Sequence, residues 1–133
     1  MPDSVTRSIL ALGLFSACGA PGQDDASPDR YNVVWRSPSS DHSGSMPLGN
    51  GEVGLNAWVE SSGDLLFYIA RTDSWGDNGR LLKVGRIRVH CDPPIWREGM
   101  AFEQTLRLWD GTMVVRCGDG DEAATLQLWV DAN

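Results

Sequence analysis

From Tyr31 onward the chain is a succession of short apolar runs. Each is cut by glycine, proline, aspartate or asparagine, and none sustains a 3.6-residue period. That rhythm constrains the fold more than any other feature, because strand-length runs bounded by turn residues build antiparallel sheets. The runs predict strands over 31–35, 53–60, 65–70, 81–91 and 124–130, and a hairpin of 101–111 with 112–118 around Asp110-Gly111. "SSGD" (61–64) turns the second run into the third. Residues 71–80 read as a loop and 119–122 as a turn. Gly85 marks a bulge or a close approach inside its strand, and Pro93 and Pro94 stop that strand. The fold class is therefore all-β, an antiparallel β-sandwich over residues 31–133. The last strand ends almost at Asn133, so the sandwich is expected to be partial and to leave an open edge there.

The first thirty residues have a different character. "ILALGLFSA" (9–17) is too short to span a bilayer and has the length of a signal h-region. It runs into Cys18 behind the small residues Ser16 and Ala17, which resembles a bacterial lipobox with Cys18 as the lipidated residue. "GAPGQDDASPDR" (19–30) has almost nothing to bury and reads, with Cys18, as a disordered tether. The expectation is a signal peptide over 1–17, a linker over 18–30, and an exported protein. Its address is the outer membrane or cell surface as a lipoprotein, with periplasmic or secreted as the alternative. Contact with membrane is expected through the lipid anchor alone.

A formal net charge of −7 speaks against nucleic acid as a partner, since phosphate binding needs a basic footprint. Six tryptophans allow either core packing or exposed platforms for sugar rings. Cys91 shares strand parity with Ile87 and Val89, and Cys117 with Met113 and Val115. Both are expected to point inward, either joined as a disulfide in an oxidising compartment or packed as small hydrophobes.

Residues 45–54, "SMPLGNGEVG", place permissive backbone directly before a strand. Read from the residues alone this is a tight turn feeding a buried strand; it lacks the lysine and helix of a phosphate loop. The wider pattern carries more. Trp35, then "PLGNGEVG", a strand pair, and "RTDSW" (71–75) together resemble the N-terminal β-sandwich domain of glycoside hydrolase family 95, where an "NEDTLW"-like loop stands at the last position. The stretch 31–89 is still more similar to a bacterial domain of unknown function, number 5703. The resemblance implies an exported polysaccharide-degrading parent whose catalytic carboxylates sit in an (α/α)6 barrel outside this sandwich. It makes this chain a non-catalytic part, a fragment without the barrel. Asn50, Glu52, Asp73 and Trp75 would then line the sugar cleft or the interface with the catalytic domain of the same parent. The alternative is a standalone surface lipoprotein that binds oligo- or polysaccharide.

No catalytic residue is assigned. Eighteen acidic residues make some pair at glycosidase spacing inevitable, but one acid must also sit in a cleft that raises its pKa. His42 and His90 have no metal-ligand spacing, "GDGDE" (118–122) lacks the ligand pattern of a calcium loop, and no cofactor is expected.

Overall fold

The computed structural model describes residues 27–132. The expected signal peptide, Cys18 and most of the expected linker lie outside the described residues; at Ser27, Oγ accepts a hydrogen bond from the Asp29 N–H at the head of a 3-10 turn, Pro28–Tyr31. Among the described residues there is no α-helix, and none long and apolar enough to cross a membrane.

Among the described residues eight strands form two four-stranded antiparallel sheets, as the all-β pattern predicts. The strands are β1 (Val33–Trp35), β2 (Met46–Gly49), β3 (Val53–Val59), β4 (Leu65–Trp75), β5 (Leu81–Val89), β6 (Phe102–Arg107), β7 (Thr112–Cys117) and β8 (Ala124–Leu128). One sheet has the order β1-β6-β7-β8, the other β2-β3-β4-β5. Met46, Leu48, Ala57, Val59 and Leu65 from one sheet pack with Phe102, Leu106, Met113, Val115 and Cys117 from the other. Alternation explains the selection: successive strand residues point to opposite faces, so every second apolar residue enters the core.

Three sequence expectations are corrected. Met46–Gly49 is a strand, not a loop, because Met46 and Leu48 alternate into the core while Pro47 and Gly49 stay outside. Pro47 is tolerated because β2 is an edge strand. Residues 71–75 continue β4 rather than opening a loop; Arg71 pairs with Val53 and Trp75 with Leu81, and pairing overrides turn-like composition. The turn between β6 and β7 takes Leu108–Gly111 rather than two residues. Gly111 supplies a φ of 63°, and Asp110 Oδ1 accepts from the Thr112 N–H at 3.2 Å.

Cys91 and Cys117 are both free thiols. Cys117 is buried on β7, as parity predicts. Cys91 lies past the end of β5 and is half-exposed, so the shared inward face does not extend to it. β5 is an edge strand with all nine residues exposed, including Ile87 and Val89 on the face that β4 turns toward the core.

Candidate functional site

The glycine-rich stretch forms the tip of the β2–β3 hairpin. Asn50 Oδ1 accepts from the backbone N–H of Glu52 (2.9 Å) and of Val53 (2.8 Å), closing an Asx turn. Gly51 takes a φ of 93°, the left-handed region that favours glycine. A Cβ on Gly49 would stand 2.9 Å from the Val53 carbonyl oxygen, so this position needs glycine for the opposite reason, close approach. Asn50 also donates through Nδ2 to the Asp131 carbonyl oxygen at 2.6 Å, which ties the hairpin tip to the segment after β8.

Beside the tip stands Arg71 on β4. Its Nη2 meets Glu52 Oε1 at 2.6 Å and its Nε meets Asp73 Oδ1 at 3.2 Å. Arg71 and Asp73 are two apart on one strand and so share a face. Trp75 follows, its Nε1 donating to the Thr72 carbonyl oxygen at 2.7 Å while the ring stays 61% exposed. Gly49, Gly51, Glu52, Gly54, Arg71 and Leu81 help line a shallow cavity of about 210 Å³ here.

The four residues picked from sequence thus gather at one end of the sandwich. Arg71 was not among them, yet it holds two of them. The signal was available: in "RTDSW" the arginine stands two residues before the aspartate, the spacing of side-chain neighbours on a strand.

Strand register adds two aromatic residues to the same end. Asp131 reaches Asn50, and Leu128 pairs with Met113. The end of β8 and the β6–β7 turn therefore lie at the Asn50 end, carrying Trp129 (59% exposed) and Trp109 (77% exposed). Trp58 is buried against Tyr68 on the outward face of β3, and Trp96 is half-buried against the core.

The histidines lie elsewhere. His42 packs edge-on to Tyr68. His90, exposed beyond β5, places Nδ1 2.8 Å from Asp64 Oδ1, and Arg88 Nη1 meets Asp64 Oδ2 at 2.6 Å. These hydrogen bonds, His90 first and Arg88 second, hold the Asp64 carboxyl below the usual carboxylate range. Among the described residues no three His, Cys, Asp or Glu side chains gather as a metal site.

Residues 34–133 match a family described as a domain of unknown function (DUF5703), in its N-terminal part. No curated protein and no solved structure matches the chain.

Proposed function

The chain belongs to the DUF5703 N-terminal domain family, and on that premise we propose that it serves as the non-catalytic β-sandwich domain of an exported glycoside hydrolase. In this proposal it acts beside an (α/α)6 catalytic domain of the same parent. The Asn50 end is the working surface, packing on the catalytic domain or walling its sugar cleft. Export through the N-terminal signal and anchoring at Cys18 belong to the same proposal.

The observation that carries it is the gathering of Asn50, Glu52, Asp73 and Trp75 at one end of the sandwich, with Arg71 holding Glu52 and Asp73. These residues come from a hairpin tip and a distant strand end, and they stand together on an exposed face rather than in the core. The Glu52 and Asp73 side chains are 62% and 66% exposed and both lie on Arg71. Neither occupies the dry cleft in which a general acid is tuned. What they offer is a rigid, polar, aromatic-edged surface of the kind that meets a partner or a sugar.

The test is to read the coding sequence past Asn133, then to produce the encoded continuation together with this domain. An open frame entering a long helical region is expected, with Trp75→Ala and Arg71→Ala weakening the contact between the two parts. A stop codon after Asn133, combined with saturable oligosaccharide binding by the chain alone, would replace this reading with that of a standalone glycan-binding lipoprotein.

A further inference from the structure

The outward face of β5 holds a cationic pair that net charge conceals. Lys83 and Arg86 are three residues apart, which on a regular strand would put them on opposite faces. The register shifts between Ile69 and Ala70: Ile69 pairs with Gly85, but Ala70 pairs with Lys83, and Val84 is left out as a bulge. Tyr68 pairs with Arg86. Lys83 and Arg86 therefore stand on one face, opposite residues two apart on β4, which is about 7 Å of strand rise. Bulges re-aim side chains in this way.

Among the described residues the pair has no carboxylate partner. The next cation on that face, Arg88, is engaged by Asp64 and Glu60 at 2.6 and 3.0 Å. Lys83 and Arg86 make no ion pair among the described residues. Lys83 Nζ instead sits 3.7 Å from the centre of the Tyr68 ring, and His42 flanks that ring on another side. Like charges side by side on a sheet are destabilising. In an acidic chain, with carboxylates in excess, leaving two cations without one is a feature that an anionic ligand would complete.

We infer that Lys83 and Arg86 on β5, with Tyr68 beside them on β4, form a binding site for carboxylate-bearing polysaccharide. The inference rests on the carbohydrate reading above and names the chemical class of glycan. The surface is the exposed strand β5, with two cations about 7 Å of strand rise apart and the half-buried Tyr68 ring beside Lys83. That suits an extended chain of pyranoses carrying repeated carboxylates better than a single acidic side chain, which would need a pocket.

The experiment titrates the full chain with polygalacturonate, its methyl-esterified counterpart and polyglutamate. It compares low salt with about 0.5 M salt, where the Debye length falls to about 4 Å. Saturable binding of polygalacturonate alone is expected, lost in high salt. Lys83→Gln and Arg86→Gln should each weaken it by about tenfold or more, as expected for a charge-assisted contact. Trp75→Ala should leave it intact. Equal binding of the esterified polymer, unchanged affinity in both variants, or no binding would each overturn the site. Equally tight binding of polyglutamate would also overturn it, pointing to an acidic protein instead. None of these failures touches the proposed role of the Asn50 end, which the Trp75 and Arg71 variants probe separately.

Discussion

Asn50 and Asp131 join the two sheets at one end of the sandwich: the Asn50 amide donates to the Asp131 carbonyl oxygen at 2.6 Å while its own oxygen closes the hairpin tip. One side chain thus fixes both the shape of the turn and its position against the opposite sheet. Asn50→Ala removes three hydrogen bonds at an exposed position. Urea unfolding should show a loss of about 1–2 kcal/mol, the range for a few exposed bonds replaced in part by water. Asn50→Asp, which keeps the oxygen that accepts both turn hydrogen bonds, should recover part of that loss.

Acid unfolding should report on Asp64. Its folded pKa is lowered by His90 and Arg88, so its contribution is fully present above the unfolded value of about 3.9. That contribution drains away as pH falls through the lower folded value. Asp64→Asn should therefore reduce stability at neutral pH and flatten the wild-type decline below about pH 4, as followed by circular dichroism against pH.

Gly63 should resist substitution. Its φ is 82°, and a Cβ there would stand 2.5 Å from the Trp96 carbonyl oxygen. Gly63→Ala meets both a disfavoured backbone and a clash with main chain, so thermal unfolding should show a loss of more than about 1 kcal/mol. Gly79, with a φ of 71° and open space around it, should show the smaller backbone effect alone.

Thiol reactivity should separate the two cysteines of the sandwich. Burial pushes the Cys117 thiol up to about 11, and its side chain is almost inaccessible. In a Cys18→Ser background at pH 8, a disulfide exchange reagent should label Cys91 quickly and Cys117 only on unfolding. Finding no free thiol before reduction would show that the two are bonded after all.

Gln104 should be improvable. It is buried between the sheets, and its Nε2 has no hydrogen-bond partner among the described residues. An unpaired buried amide is costly. Gln104→Met, of similar shape and without that donor, should raise the unfolding midpoint, by about 1 kcal/mol in free energy.

Much of this protein was settled by its sequence. Period-2 runs and glycine-containing turns specify strands β3 and β5–β8, the first part of β4, and β1, whose predicted start at Tyr31 falls instead in a 3-10 turn, because strand formation and face selection depend on local alternation. The composition of "LGNG" requires a tight turn, and Asn50 with Gly51 form one. Tertiary structure alone decided the rest, since it depends on pairing between residues far apart in the chain. Met46–Gly49 becomes a strand only because β3 lies beside it and the core takes Met46 and Leu48. "RTDSW" becomes the end of β4 only because Val53 and Leu81 supply partners. Cys91 falls beyond the last paired residue of β5, so its parity has no sheet to act on. Lys83 and Arg86 share a face through a one-residue bulge at Val84; Gly85 marks the neighbourhood of that bulge in the sequence, but which side chains it brings onto one face is decided by the pairing with β4.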